Sequence, residues 1–554
     1  MSEGNVRVRF APSPTGYPHV GNIRTALFNW LFARHCGGSF IVRIEDTDVT
    51  RKVRGALEAI LESLRWLGID WDEGPEVGGD YGPYYQSERR DIYEQIAQLL
   101  LEGGHAYKCY CSSERLAKMR AEMAERKESM RTYDRRCRDL TQEERDKLEA
   151  QDITPVVRFK TPLEGTTSFN DLIKGDVTFD NCTLDDFILL KSDGYPTYHL
   201  ANIVDDHLMQ ISHVLRADEW LSSTPRHILL YQALRYEPPE FAHLPMIMGP
   251  DRAKLSKRHG ATSIIEYRDR GYLPEAMVNF LALLGWALDD KTEIFSKEEL
   301  IQHFSIERIS KTSAIFNKDK LDWMNGVYIR NMSIAELTEQ LLPFLERDLP
   351  TEVKRPISAE YVQQIVPLIQ ERLTTLGEAA ELFKFFFMEP IPQTIVPTGI
   401  SSEEKVEIPD VSSKPSPQII SPTGIPSEDK FGPPTVIEEK MVYDTNLLLG
   451  ENLTREAAVA ALEAALQRLT NLAADWDGTG RDAEKLAEDA QSLEEVLRPL
   501  AAELGLKTGD FFGLLRVAVT GRTAAPPLFQ TMAVLGRERC LRRVEAALGK
   551  LGLV

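Results

Sequence analysis

The chain has 554 residues, 43% of them apolar and 27% charged, with a formal net charge of −20. That length exceeds what one core supports and calls for several domains, in a composition typical of soluble globular proteins. No run approaches the ~18 apolar residues of a membrane span, the start Met1-Ser-Glu-Gly4 lacks a signal-peptide layout, and six cysteines fit free thiols in a reducing compartment; a cytoplasmic location without a membrane partner is expected.

In chain order, Val6, Val8 and Phe10 alternate as a strand, Pro12 and Pro14 interrupt it, and Ile23, Ala26, Leu27, Trp30 and Leu31 follow at helical spacing. Gly37-Gly38 reads as the helix stop, and Ser39 to Ile44 as a second strand running into Glu45-Asp-Thr-Asp48. Val53, Leu57, Ile60, Leu61, Leu64 and Leu67 predict a second helix. Strand, helix, strand, helix opens a parallel α/β sheet whose ligands lie beyond the carboxyl ends of its strands, with Asp46 and Asp48 on that side.

From about 88 to 192 the pattern shifts to charged helices and short strands at 155–160 and 187–190, as in an insertion between two halves of the sheet. A basic run from Arg115 to Arg138 offers a local nucleic-acid-binding face despite the acidic total, or equally a solvated helix surface. The sheet resumes with a strand at 211–216, a helix through Arg226 to Leu234 and a strand from Leu244 to Met248; beyond residue 258 the pattern is helical almost to the end. Residues 389–440 are proline-rich and nearly without aromatics, so they cannot bury a core. Within them 392–405 recurs as 417–430, a tandem duplication in a spacer, with a partner-docking motif as the other reading.

Two stretches carry chemistry. The turn from Phe10 to Asn22 places free N–H groups and the positive end of a helix dipole beside a sheet edge, a phosphate site with His19 and Asn22 in reach and Gly16 and Gly21 allowing close approach. An ordinary β–α turn is the plainer reading. Lys254-Leu-Ser-Lys-Arg258 follows a strand and Gly249-Pro250, and two lysines there can close over phosphates as charge develops. A basic surface loop is the plainer reading here.

Ala11-Pro-Ser-Pro-Thr-Gly16 with Pro18-His-Val-Gly-Asn22 resembles the ATP-binding signature of class I aminoacyl-tRNA synthetases in its bacterial glutamyl form, although Val20 and Asn22 depart from His-Ile-Gly-His. Lys254 to Arg258 resembles the second signature, Lys-Met-Ser-Lys-Ser, with Leu255 and Arg258 as variants. The resemblance covers nearly the whole chain except 389–440. It implies an α/β fold: a Rossmann-type parallel-sheet catalytic domain at 1–87 and 193–250, an inserted acceptor-end-binding domain at 88–192, and a stem-contact region at 251–325. An all-α anticodon-binding region follows at 326–388 and 441–554, interrupted by the duplicated linker.

By the same resemblance, ATP with Mg2+ is held by His19, Gly21, Asn22, Glu219, Trp220, Lys254, Leu255, Ser256, Lys257 and Arg258, with His19, Lys254 and Lys257 catalytic. Glutamate is held by Arg9, Ala11, Ser13, Glu45, Tyr198, Asn202 and Arg216. Arg9 is expected at the side-chain carboxylate, Arg216 at the α-carboxylate and Glu45 at the ammonium; a structural ion pair between Arg9 and Glu45 is the alternative. The implied partners are L-glutamate and tRNA(Glu), with tRNA(Gln) left open, acting on a monomer.

Cys109, Cys111 and Cys137 with Asp139 form a candidate zinc set, since zinc takes four tetrahedral ligands and some family members have histidine where Asp139 stands. Buried free thiols are the favoured reading. A glutaminyl enzyme would be expected to carry β-barrels in place of the C-terminal helices. A non-catalytic tRNA-binding or regulatory paralogue would be expected to lack His19, Lys257 or Arg9, all of which are present.

Overall fold

The computed structural model describes residues 6–126, 133–151, 153–256, 263–393, 441–472, 476 and 481–552. They form two units, Met1–Asn331 and Met332–Val554.

In the first unit, β1 (Arg7–Phe10) leads through the proline turn into α1 (Val20–Cys36) and back to β2 (Ser39–Val42), which pairs in parallel with β1 from Arg7↔Ser39 to Phe10↔Val42. The apolar positions anticipated in α1, Ile23, Ala26, Leu27, Trp30 and Leu31, are all buried. So are Arg24 and Asn29: this helix is enclosed all round, as a helix sandwiched inside an α/β domain is. Gly37 at φ 64° ends it in the left-handed conformation that glycine adopts without a Cβ penalty. Next come α2 (Ala56–Trp66) and α3 (Arg90–Glu102).

A small antiparallel sheet of order β3-β4-β7 follows, from Ala106–Cys109, Val156–Phe159 and, later in the chain, Ile188–Leu190. Between β3 and β4 lie α4 (Ser113–Glu125) and α5 (Gln142–Glu149). Between β4 and β7 lies a hairpin, β5 (Thr166–Asp171) and β6 (Gly175–Asp180). This hairpin was not anticipated. Although it falls within 88–192, it joins the main sheet, with Asp171 paired in parallel to Phe241.

The chain then runs through α6 (Tyr198–Leu208), β8 (His213–Ala217), α7 (Thr224–Leu234) and β9 (Glu240–Leu244). The sheet order is β6-β5-β9-β8. Ser212, one residue before β8, donates its N–H to the Arg7 carbonyl at 2.9 Å and so brings β8 alongside β1. The single strand anticipated at 244–248 is instead β9 and a separate β10 (Ile247–Met248), divided at Pro245, which has no N–H for a ladder. β10 pairs with a two-residue β11 (Ala314–Ile315) inside the helical run α8 (Ile264–Asp269), α9 (Pro274–Leu283), α10 (Lys297–His303) and α11 (Lys318–Asn331).

The second unit contains α12 (Ile334–Asp348), α13 (Ala359–Ile369), α14 (Ala379–Phe387), β12 (Pro390–Gln393), β13 (Met441–Asp444), α15 (Asn446–Leu449), α16 (Arg455–Asn471), α17 (Ala483–Glu503), α18 (Thr508–Thr520), α19 (Leu528–Leu535) and α20 (Arg537–Gly552). The helical expectation for this region stands, with one correction at its edge. Residues 389–393 do not belong to a structureless spacer, because β12 pairs in parallel with β13, and Glu389 accepts from buried Arg543 at 2.8 Å. The Arg543 guanidinium also donates to the carbonyls of Val519, Phe385 and Met388, tying α20 to the ends of α18 and α14. Apart from Pro392 and Gln393, which end β12, the duplicated stretch lies in 394–440, outside the described residues.

Candidate active site

A cleft of about 1820 Å³ opens in the first unit beyond the carboxyl ends of β1, β2 and β8. Its lining includes Arg9, Ala11, Ser13, His19, Gly21, Asn22, Glu45, Tyr198, Asn202, Arg216, Glu219, Trp220, Lys254, Leu255 and Ser256. These are all the ATP- and glutamate-site residues anticipated from the sequence except Lys257 and Arg258, which lie outside the described residues. Asp48 also lines the cleft, whereas Asp46 turns away to bind Ser87 through its backbone N–H and its hydroxyl.

On one wall His19 caps α1. Its Nδ1 accepts from the N–H of Gly21 at 3.1 Å and of Asn22 at 3.4 Å, while Asn22 Oδ1 accepts from the His19 N–H. A ring accepting at Nδ1 carries its proton on Nε2, so the edge facing the cleft is a donor. Surrounding protein, and then the Lys254 charge, hold this histidine below its ordinary 6.5, which keeps the ring neutral near pH 7. Near enough to act on His19 electrostatically, Lys254 Nζ pairs with Glu219 at 2.5 Å; elsewhere in the lining the Tyr198 and Trp220 rings lie 4.3 Å apart.

The floor is charged and dry. Arg9 is fixed bidentately on Asp206 (Nε–Oδ1 3.0 Å, Nη2–Oδ2 3.2 Å), and Arg43 Nη1 donates to the same carboxylate at 2.7 Å. Arg43 also reaches Glu45 at 3.3 Å, and Arg89 binds Asp205 at 2.7 Å. Three guanidiniums thus face three carboxylates. Burial alone would raise the Asp206 carboxyl, but the Arg9 and Arg43 charges outweigh it and hold it below the ordinary range. Glu45 comes out the other way, since burial prevails over Arg43 and Arg9 and pushes it up. Asn202, oriented with its amide oxygen toward Arg43 and Arg9, completes the cluster by donating to Asp206 at 3.2 Å. The ion-pair partner of Arg9 is therefore Asp206, not Glu45.

Arg216 differs from these arginines. Its Nε donates to His243 Nε2 at 3.0 Å, Nη1 to Tyr198 Oη and His227 Nδ1 at 3.1 Å each, and Nη2 to Thr224 Oγ1 at 2.8 Å. None of these acceptors is a carboxylate, so the positive charge at the cleft wall is not compensated as that of Arg9 is.

Sequence reasoning missed Asp206, Arg43 and His243. A signal was present for the first, because Tyr198, Asn202 and Asp206 recur every four residues and so share one face of α6. Arg43 and Glu45 likewise alternate along the extended chain from β2.

Apart from the cleft, Cys109, Cys111 and Cys137 bring their sulfurs within 4.8 Å of one another, and all six cysteines of the chain are free thiols. Tyr133 Oη lies 3.3 Å from Cys109 Sγ and 3.4 Å from Cys111 Sγ. Asp139 is not part of this set. Its side chain is 79% exposed and pairs with Lys160 at 3.3 Å, so the oxygen beside the thiols is that of Tyr133 and not a carboxylate.

The family of class I tRNA synthetases (E and Q), catalytic domain, matches residues 5–323, and an anticodon binding domain matches 336–408 and 434–548. Glutamate–tRNA ligase of Dehalococcoides mccartyi is 55% identical over 546 residues, covering 99% of this chain and 98% of the relative. That of Moorella thermoacetica is 45% identical, with 98% of each chain covered. A crystal structure of a glutamate tRNA ligase from Elizabethkingia meningosepticum in complex with its amino acid superposes with a TM-score of 0.79 at 34% identity, covering 99% of this chain and all of that one.

Proposed function

This chain belongs to the glutamate–tRNA ligase family of class I synthetases, and we propose that it activates L-glutamate with ATP·Mg2+ and transfers it to the terminal ribose of tRNA(Glu). The observation that carries the reading is the cleft itself, where a helix N-terminus and an uncompensated arginine share one cavity. At neutral pH glutamate carries one ammonium and two carboxylates, a net charge of −1. Arg216 supplies the matching positive charge for one carboxylate. Arg9, with one donor edge committed to Asp206, offers its remaining N–H groups to the other. Glu45 receives the ammonium, whose charge also favours the ionised carboxylate.

The first step is in-line. The α-carboxylate oxygen attacks the α-phosphorus of ATP, an O–P bond forms, the bond to the β-phosphate oxygen breaks, and pyrophosphate leaves. His19 donates from Nε2 to a phosphate oxygen, and the N-terminus of α1 adds its dipole. Lys254 exchanges Glu219 for the departing phosphates, and Lys257 of the same signature is assigned the same role. A tRNA ribose hydroxyl then attacks the carbonyl carbon of the adenylate, and AMP leaves. No side chain serves as a covalent nucleophile; orientation and fixed charge lower both barriers.

Three thiols around a phenolic oxygen make a four-donor set suited to zinc, with Cys109, Cys111, Cys137 and Tyr133 holding it and the role purely structural. The assignment of 88–192, apart from the β5–β6 hairpin that joins the main sheet, to the acceptor end, of the second unit to the anticodon, and of a monomeric state belongs to the same proposal. The test is tRNA-dependent AMP formation by the purified chain with glutamate, glutamine or aspartate. Turnover with glutamate alone supports the reading, and equal turnover with glutamine overturns the assignment of Arg9 to the side-chain carboxylate.

A further inference from the structure

Three strands that neighbour one another in the main sheet present a row of polar side chains. Asp171 ends β5, His243 lies in β9, and Arg216 lies in β8, where it is the direct register partner of His243. Asp171 Oδ2 lies 2.6 Å from His243 Nδ1, and His243 Nε2 lies 3.0 Å from Arg216 Nε. All three are buried, with His243 and Asp171 at 0% and 1% exposure.

The protons in this row are determined. Asp171 Oδ1 already accepts the N–H groups of Ile173 at 3.0 Å and Lys174 at 2.8 Å, and Oδ2 accepts the His243 N–H at 3.1 Å. A carboxylate so placed is an acceptor, hence Nδ1 of His243 carries the ring proton. Nε2 is then a bare lone pair aimed at the Arg216 Nε–H. The opposite tautomer, or a doubly protonated ring, would set an N–H against a guanidinium in a dry site. Burial, and the charge of Arg216 among the further causes, keep His243 below its ordinary value.

We propose that Asp171 and His243 are positioning residues for substrate recognition: the carboxylate fixes the histidine tautomer, and the histidine orients the Arg216 guanidinium without neutralising it. With Tyr198, His227 and Thr224 as the other acceptors, four of the five guanidinium N–H groups are engaged and one remains for the ligand. A carboxylate in place of His243 would hold Arg216 equally well but cancel the charge that attracts the substrate. The inference rests on the reading of Arg216 as the receptor for a glutamate carboxylate.

The experiment is steady-state glutamylation by the full chain, with the KM for glutamate and for ATP measured separately. His243→Leu removes the acceptor and is expected to raise the glutamate KM at least about tenfold, as loss of a hydrogen bond to a charged group does, with the ATP KM unchanged. His243→Gln can place an oxygen near Nε2 and is expected to stay within about threefold of the parent. In Asp171→Asn the Ile173 and Lys174 N–H groups retain the amide oxygen, so the NH2 faces His243 Nδ1 and reverses the tautomer. Its glutamate KM is expected to rise as for His243→Leu, and the 15N shifts of His243 to show the proton moved to Nε2.

A Gln variant as impaired as the Leu variant, or Leu and Asn variants with an unchanged glutamate KM, overturns the positioning role. Arg216→Gln separates the two claims: if it too leaves the glutamate KM unchanged, the reading of Arg216 falls first. Should His243→Leu fail to fold, the Asp171→Asn shifts and KM decide alone.

Discussion

Asp206 should be the least replaceable carboxylate beneath the cleft. It is 1% exposed and accepts three charge-assisted hydrogen bonds, two from Arg9 and one from Arg43. Asp206→Asn keeps the volume but leaves three guanidiniums facing two carboxylates, and sets an amide N–H against an arginine N–H. Breaking a buried ion pair from one side costs about 3–5 kcal/mol, a large share of the ~5–15 kcal/mol that stabilises a domain. Because the chain has two units, whole-chain unfolding is not one two-state step. Hydrogen exchange in the peptide carrying α6 reads the local opening free energy directly. Exchange there should accelerate by roughly two to nearly four decades. Glu143→Gln, which removes the exposed i,i+4 partner of Lys147, serves as the control and should change local stability by well under about 1 kcal/mol. Less than tenfold acceleration in Asp206→Asn would refute the claim that this floor is dry and charge-balanced.

Other outcomes follow from the same structure. Arg216→Gln should raise the glutamate KM at least about thirtyfold, the lower bound for truncating a buried charge partner; Arg9→Gln should lose stability as well, because it abandons Asp206. An Arg9→Gln variant of parental stability contradicts that division of roles. Metal analysis of protein purified without chelator should find one zinc per chain, abolished in Cys137→Ser, and zinc-free parent protein removes the structural site. Acid should destabilise the first unit through His199, His227 and His243, which burial holds below the ordinary value, His199 down to about 4. The unfolded chain binds protons at these groups near pH 6.5 while the native one does not. Their contribution is therefore complete above that pH and declines below it, by up to roughly 1.4 kcal/mol per pH unit and histidine. Hydrogen exchange in first-unit peptides at pH 7.5, 6.5 and 5.5, corrected for the intrinsic pH dependence of exchange, checks this, and equal protection at all three contradicts it.

The parts of the fold that were legible in the sequence were local. The turn from β1 into α1 announces itself through two prolines and a change of apolar period within twenty residues, and every apolar position read there is buried. The hairpin at Thr166–Asp180 was not legible, because its residues alternate weakly and its place in the main sheet depends on Asp171 meeting Phe241, seventy residues further on. The same distance hid the link from Asp171 to His243 and Arg216. Spacing along the chain does not say which side of a turn faces the thiols: Asp139 points to Lys160, and Tyr133 lies beside the sulfurs. Arg9 lines the cleft, but the partner that takes one of its donor edges lies 197 residues away.

The most direct test of the central claim is glutamylation of two purified transcripts, tRNA(Glu) and tRNA(Gln), with ATP, Mg2+ and labelled glutamate. The account predicts labelled tRNA(Glu), with one AMP formed per glutamate transferred; label on tRNA(Gln) as well would place the chain among synthetases that accept both. Binding of tRNA(Glu) without transfer of label would contradict the catalytic reading and leave a tRNA-binding protein in its place.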